Sequence, residues 1–236
     1  MDIQFDFLYR CFIQGLKHIP TTLLLVFVPM FFSLIIGFFI AVARVFKTPY
    51  LSKILTIYTT IFRGIPNILV LLIVNLIFLL KFDDFAQFIG IGWRVRDIDK
   101  IYVALFGLTL YLIPRLTETI RSALISVDWS QYEAGFSVGM TKSQTMKSIV
   151  IPQMIPVMMP VFTNNFIGLM KNSSVVFVIG AVDVLNGALI EGADYYAFLE
   201  AYLAAAVIYW IIGLSFERVF IFLENYSGMY RKALVK

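Results

Sequence analysis

Long uncharged runs alternate with short polar breaks along this chain, and the runs have the length of membrane-crossing helices. Crossing roughly 30 Å of hydrocarbon takes about 20 apolar residues as a helix, because backbone groups in lipid must be satisfied within the segment. Residues 21–43 are free of charge from end to end. Residues 54–80 form a second run, broken by Arg63-Gly64-Ile65-Pro66, a combination that predicts a kink whose freed carbonyls need partners. A third run, 101–125, carries Arg115, Glu118 and Arg121 in its second half. The fourth, 149–170, is followed by the polar knot Lys171-Asn172-Ser173-Ser174 and a further apolar stretch to Val182. Its Pro152, Pro156 and Pro160 recur at every fourth position and predict a bent start, with a hinge as the functional version of that bend. The fifth run is 195–216. Five spans place the two termini on opposite sides of a membrane.

The first twenty residues do not read as a signal peptide: Asp2 and Asp6 stand where a basic region belongs, and no small-residue cleavage site follows an apolar core. Phe5, Leu8, Phe12 and Leu16 lie at helical spacing and predict a helix in the interface. The expected layout is therefore an interfacial segment 1–20, a transmembrane domain 21–223 that includes a loop 126–148, and a tail 224–236. Lysine and arginine counts orient it. Segments 44–53, 121–147 and 217–236 carry ten basic residues, whereas 1–19, 81–100 and 180–198 carry six, the last being acidic through Asp183, Glu191 and Asp194. The loop 126–148 and the tail are thus placed in the cytoplasm.

That loop is the least membrane-like part of the chain. Residues 131–153 read QYEAGFSVGMTKSQTMKSIVIPQ, two short helical halves punctuated by glycine. Ser130 and Glu133 fit a capping box at the start of the first half, Gly139 a left-handed stop, and Thr141 with Gln144 a cap for the second. Trp129, Tyr132, Phe136 and Met140 follow the spacing of one helical face. Such a stripe outside the membrane lies on lipid headgroups, folds back on its own bundle, or docks in a groove on a cytoplasmic partner.

Composition narrows the classes. Of 236 residues, 60% are hydrophobic and 16% aromatic, with a mean hydropathy of +0.87, far above a soluble domain. One cysteine, Cys11, excludes an internal disulfide, and one histidine, His18, builds no metal cluster and reads as a surface residue. The net charge of +4 comes from residues scattered among apolar runs, which points away from nucleic acid. No Gly-x-x-x-x-Gly-Lys-Ser/Thr phosphate loop occurs, so any ATP use belongs to another subunit. No nucleophile, base and metal constellation suggests an enzyme.

An ordered set of motifs over about residues 15–220 resembles the permeases of binding-protein-dependent ABC importers. Glu133-Ala134-Gly135, Gly139, Ile149 and Pro152 resemble that family's cytoplasmic "EAA" loop. Thr21-Thr22-Leu23, Arg63-Gly64-Ile65-Pro66, the Glu118 and Arg121 pair, Pro152-Gln153, Pro160, Asn164 and Lys171-Asn172-Ser173-Ser174 resemble its polar amino-acid branch. The resemblance implies an all-α membrane fold of the type I importer class, about five transmembrane helices with a cytoplasmic coupling helix, in a bacterial plasma membrane. It implies a second permease chain, identical or a sister, a cytoplasmic ATPase subunit seated on Tyr132, Glu133, Ala134, Gly135, Phe136, Gly139, Ile149 and Pro152, an external substrate-binding protein, membrane lipid around the spans, and no cofactor. The chain departs from the pattern where Gly135 replaces alanine, Ile65 replaces threonine, and Asn172-Ser173-Ser174-Val175 replaces Asp-Thr-Ser-Leu.

Polar residues inside the spans are candidates for function, since each is costly in lipid. Arg115, Glu118 and Arg121 are three residues apart and form a ladder that reads either as a structural ion network or as a gate. Arg63 reads as an anchor of the kink and as a candidate for the path. Asn164, Asn165, Lys171, Asn172 and Ser173 either line a polar path or hydrogen-bond between helices. A self-sufficient secondary transporter or channel is the alternative; it predicts an internal repeat or more spans. A scaffold without transport predicts none of these interior polar groups.

Overall fold

In the computed structural model the described residues are 4–234, with side chains described as far as Tyr226. Asp2, Lys236 and the side chains of Arg231 and Lys232 lie outside them. Among the described residues the chain is helical throughout: α1 (Phe5–Lys17), α2 (Ile19–Val45), α3 (Leu51–Gly64), α4 (Asn67–Phe88), α5 (Lys100–Ile125), α6 (Trp129–Ser137), α7 (Lys142–Thr145), α8 (Ile151–Ser173), α9 (Val184–Ala193) and α10 (Phe198–Leu234). Four helical stretches, Ile19–Val45, Lys100–Ile125, Lys142–Ile179 and Phe198–Tyr226, are long and apolar enough to cross a membrane. A fifth arises if the bent pair α3 and α4 makes one span.

Several boundaries differ from expectation, each for a local reason. The second run is two helices, because Pro66 is the residue before α4 and cannot continue α3. The last helix starts at Phe198, after Tyr196 adopts a left-handed conformation (φ 54°), and continues without interruption beyond the expected end at 216. The polar knot is the final turn of α8, with Ser173 buried and Lys171 and Asn172 exposed, followed by a 3₁₀ segment Ser174–Ile179 that Gly180 ends at φ 81°. A helix lies where a loop was expected, α9, and Asp183 caps it by accepting from the Asn186 N–H at 2.9 Å. Asp183 is fully buried and so is no loop charge.

The fold divides into two compact units whose boundaries fall inside α2, α5, α8 and α10 and before the last residue of α3. The first comprises residues 1–32, 64–112 and 168–214. Here α1 packs along α9 with Cys11 and Gly15 as its buried residues, while Phe5 of the expected apolar stripe is 79% exposed. Small residues decide this face, because two helices approach closely only where no side chain intervenes. A Cβ on Gly15 would lie 2.7 Å from Ile208 Cδ1, and one on Gly187 only 2.2 Å from His18 Cδ2. His18 is therefore a packed residue, contrary to the surface role its solitude suggested. At the start of α9, Asp183 accepts from the Tyr209 hydroxyl at 2.5 Å, and Thr22 Oγ1 accepts from the Val184 N–H at 3.1 Å. Thr22 and Ser173 lie beside the Tyr209 hydroxyl, so one polar cluster joins α2, α8, α9 and α10 in this unit.

The second unit comprises residues 33–63, 113–167 and 215–236. Its core is Ala41 of α2, Ile120, Ala123 and Leu124 of α5, Tyr132 of α6, and Met146, Val150 and Met154 leading into α8. Gly37 lets α2 touch the α5 backbone, since a Cβ there would sit 3.1 Å from Thr117 N. A π-helical turn at Met146–Val150 precedes α8, which then continues through Pro156 and Pro160.

Gly187→Ala should lower thermal stability in detergent by about 1–3 kcal/mol, the usual cost of overpacking. His18→Ala in the same chain should recover most of that loss. Equal stability of Gly187→Ala and the parent would show that the α1 to α9 contact is looser than the structure places it.

Candidate functional site

The loop after α5 is built from one buried ring. Tyr132 is 1% exposed; it stacks on Trp129 (4.8 Å between centroids), meets Phe46 edge-on at 6.0 Å, and donates its hydroxyl to the Leu124 carbonyl at 3.3 Å. Burial pushes the Tyr132 phenol above its ordinary pKa, so the hydroxyl stays a donor. The cap of α6 is Asp128, which accepts from the Ser130 N–H at 2.8 Å, and not the expected Ser130 and Glu133 pair. The Ser130 hydroxyl and N–H hold this carboxylate below the usual aspartate value, so its stabilising contribution is complete above that value and is lost as pH falls through the lowered one. At the far end Gly139 adopts φ 81°, where a side chain would strain the backbone, and ends α6 as expected. Thr141 and Gln144 form the reciprocal cap of α7, also as expected.

The apolar stripe does not act as one face. Tyr132 and Gly135 point inward, whereas Trp129 is 51%, Phe136 37% and Val138 77% exposed; Glu133 and Ala134 are exposed as well. Gly135 has a packing reason that helix propensity alone does not reveal: a Cβ there would lie 2.7 Å from both Cγ2 and Oγ1 of the fully buried Thr145. Beyond the loop Ile149 is half-buried and Pro152 exposed in the first turn of α8, where Gln153 donates back to Gln131 Oε1 at 3.3 Å.

The second feature of this unit is a charged cluster around Glu118, whose side chain is 18% exposed. Arg121 Nε donates to Oε2 at 2.9 Å, as the spacing suggested. The closest partner came from elsewhere: Arg44 at the end of α2, 10% exposed, donates to Oε1 and to Thr59 Oγ1 at 2.9 Å, and its Nε donates to Thr56 Oγ1 at 3.1 Å. Arg63 Nη1 stands 3.9 Å from Oε2 with its side chain 53% exposed. Arg63, Arg115, Glu118, Thr119, Ser122 and Asn165 line a cavity of about 370 Å³. Arg44 had counted only as loop charge; its place at the end of a long uncharged run was the available signal that it needs a buried partner.

The remaining candidates separate. Asn165 bridges helices by donating to Thr119 Oγ1 at 2.9 Å, whereas Asn164 is exposed. Lys171, Asn172 and Ser173 belong to the first unit. There Ser173 is buried and donates to the Met170 carbonyl at 2.8 Å, and the Asn172 carbonyl accepts from Asn67 Nδ2 at 3.1 Å. Among the described residues no group of three or more His, Cys, Asp or Glu side chains is placed to hold a metal ion.

Residues 33–225 match the family described as binding-protein-dependent transport system inner membrane component. A probable amino-acid ABC transporter permease, PatM of Vibrio harveyi, is 35% identical over 95% of this chain and 96% of its own. The arginine transport system permease ArtQ of Bacillus subtilis is 30% identical over 84% and 85%. Among solved structures, an amino acid ABC transporter crystallised with histidines superposes with a TM-score of 0.76 at 25% identity, covering 95% of this chain and 99% of that one. The inward-facing MetNI methionine transporter, at 20% identity and a TM-score of 0.65, shares the fold.

Gly135→Ala should destabilise the loop by about 1–3 kcal/mol through its clash with Thr145, and Thr145→Ala should relieve it. Glu118→Gln should cost about 3–5 kcal/mol by leaving Arg44 without its counter-charge. Combining it with Arg44→Gln should cost less than the sum of the two single changes. Thermal unfolding of the purified chain in detergent checks both pairs; additive losses would remove the proposed couplings.

Proposed function

The chain belongs to the binding-protein-dependent transport system inner membrane components, and we propose that it is the permease subunit of an ATP-driven importer of polar amino acids. It is a multi-pass cell-membrane protein and a transport subunit, with ATP hydrolysis carried out by a partner. The cytoplasmic ATPase, a second permease chain and an external substrate-binding protein complete the machine. The cargo class rests on the relatives, an arginine permease and a probable amino-acid permease among them.

One observation carries the coupling role. Helix α6 presents Trp129 and Phe136 outward, with Val138 just past its end, while Tyr132 fastens its other face to Phe46 and Leu124 of the same chain. An apolar surface on a rigid short helix fits a groove on a partner, and its anchor turns that contact into a lever. Glu133, Ala134, Phe136 and Gly139 then form the docking side, Tyr132 and Gly135 the anchoring side, and Ile149 and Pro152 the junction with α8. ATPase closure moves this lever and shifts the permease between inward-open and outward-open states. Residues 1–20 act as the interfacial segment and 224–236 as the cytoplasmic tail. Arg63, Glu118, Arg121 and Asn164 serve as path or gate in one unit, and Lys171, Asn172 and Ser173 in the other.

Mild-detergent purification of the tagged chain with mass spectrometry of what accompanies it tests this reading. The ATPase and any sister permease should co-purify with the parent. Phe136→Asp should lose the ATPase by at least about tenfold while inserting in the membrane normally, since a charge on the docking face must be desolvated. A stoichiometric homo-oligomer without ATPase would overturn the importer reading, and retention of ATPase by Phe136→Asp would overturn the docking face.

A further inference from the structure

A cavity of about 800 Å³ lies beside α6 at the ends of α2 and α5, all within the second unit. Arg44, Lys47, Arg121 and Asp128 supply its charged groups. Arg44 is spent inside the protein, with Nε on Thr56 and Nη1 on Thr59 and Glu118. Arg121 bonds Glu118 through Nε and is 32% exposed, which leaves its two Nη nitrogens for a further acceptor. Lys47 is exposed, and among the described residues its ammonium makes no hydrogen bond or ion pair. Its backbone sits at φ 50°, in the left-handed turn that ends α2 with the Thr48 N–H on the Ala43 carbonyl at 3.1 Å. Glycine takes that conformation without strain and lysine does not, so a strained residue presents this ammonium to the cavity. Glu118 compensates one arginine and Asp128 adds its own charge, so the surplus among these groups is one positive charge. Lys142 Nζ, 6.0 Å from the ring centroid of Phe46 on the same wall, raises it to two.

A second cavity of the same unit, about 420 Å³, is lined by apolar side chains alone. Leu34 and Phe38 of α2, Ile120 of α5, and Met154 and Met158 of α8 are among them. Phe38 precedes Val45 by seven residues and Ile120 precedes Leu124 by four, and both Val45 and Leu124 line the charged cavity. Positions four and seven apart share one helical face, so the two cavities lie along the same faces of α2 and α5, about 10 Å apart along the axis. Both helices run toward the cytoplasmic side, where the basic segment 44–53 and the loop 126–148 follow them. The charged cavity is therefore at the inner membrane surface, and the apolar one lies deeper in the hydrocarbon.

We infer that the two cavities hold one anionic phospholipid of the inner leaflet, its phosphate against Lys47 and Arg121 and an acyl chain between α2 and α8. The order of polarity selects this occupant. Charge at the membrane surface with hydrocarbon beneath it matches a lipid, whereas an acidic side chain of a cytoplasmic partner or a free phosphate ion would leave the apolar cavity unfilled. An ammonium and a guanidinium edge beside a phosphate make charge-assisted hydrogen bonds, and a surplus of two positive charges favours an anionic headgroup over a zwitterionic one. Trp129 and Tyr132 of α6 belong to the same wall, so the headgroup braces α6 from the membrane side. The inference goes beyond the importer reading and requires only that the chain sits in a membrane in this orientation.

The test uses the chain with the partners that accompany it from mild detergent, mixed with equal amounts of palmitoyl-oleoyl phosphatidylglycerol and palmitoyl-oleoyl phosphatidylethanolamine. Native mass spectrometry counts the lipids held per chain. One phosphatidylglycerol should be retained with a preference of about tenfold. Lys47→Gly should cut that preference by about fivefold, the share of one basic residue beside a headgroup. It should not lower the melting temperature in lipid-free detergent, because glycine suits this backbone, so a lost preference reports the missing ammonium and not a damaged fold. Lys47→Arg should keep the preference. Ile155→Trp, which fills the deeper cavity, should lower retention of both lipids. sn-Glycerol 3-phosphate at the same concentration should displace neither, since it has no chain to bury. Equal retention of the two lipids, a preference unchanged in Lys47→Gly, or displacement by sn-glycerol 3-phosphate would overturn the lipid site. The same spectra show whether the ATPase is present: a complex that assembles without lipid preference would lose only this inference, and a chain that holds the lipid without any ATPase would lose only the importer reading.

Discussion

A charge inside an apolar helix must be answered by the protein itself, and among the described residues Glu118 answers Arg44, Arg63 and Arg121 together. Its carboxylate joins α2, through Arg44, to α5, which also supplies Arg121. The same Arg44 reaches Thr56 and Thr59 on α3. Three helices are thereby fixed by one acid in surroundings where an unpaired charge costs several kcal/mol. The close approach of α2 to α5 at Gly37 depends on that registration, and the packed floor under α6 follows from it. Phe46 lies two residues beyond Arg44 and Leu124 three beyond Arg121, and both receive Tyr132. The ion cluster and the loop are thus successive turns of the same construction.

This gives α6 its mechanical character. A docking helix transmits force only if its own attachment is stiffer than the contact it makes, and the attachment here is a buried ring with aromatic neighbours on two sides and a hydrogen bond at its tip. The second half of the loop is locked by different means: the reciprocal cap of Thr141 and Gln144, and Thr145 seated against Gly135. Glycine at position 135 concedes helix propensity in exchange for that seat, and the departure from the family's alanine becomes a packing pair with Thr145.

Features governed by neighbours in the chain were readable from the sequence. The break at Ile65-Pro66, the left-handed Gly139 and the cap of α7 each need only a few consecutive residues, and all appear in the structure. Features governed by distant partners were not. Asp183 looked like an exterior acid because nothing nearby in sequence announces Thr22, Ser173 and Tyr209, which meet it or its neighbours only in the folded chain. Arg44 looked like loop charge because its partner lies 74 positions away. The side of α1 that packs on α9 was not legible for a related reason: in a membrane protein large apolar residues face outward as readily as inward, so Cys11 and Gly15 rather than Phe5 mark the packed side. Hydrophobic periodicity therefore locates such helices well and orients them poorly.

The same separation between fold and chemistry bears on Asn172, where the chain departs from the aspartate usual in the resembling branch. The tie that holds this position to α4 is made by its backbone carbonyl, which accepts from the buried Asn67. Changing the side chain leaves that bond in place, because any residue supplies the same carbonyl. Ser173, one position later, is the opposite case: buried, donating to the Met170 carbonyl and lying beside Tyr209, its side chain is committed to the fold. Neighbouring residues at the end of α8 thus carry different burdens. Variation at 172 is available for matching a cargo, whereas variation at 173 must first preserve the packing of α8 on α9 and α10.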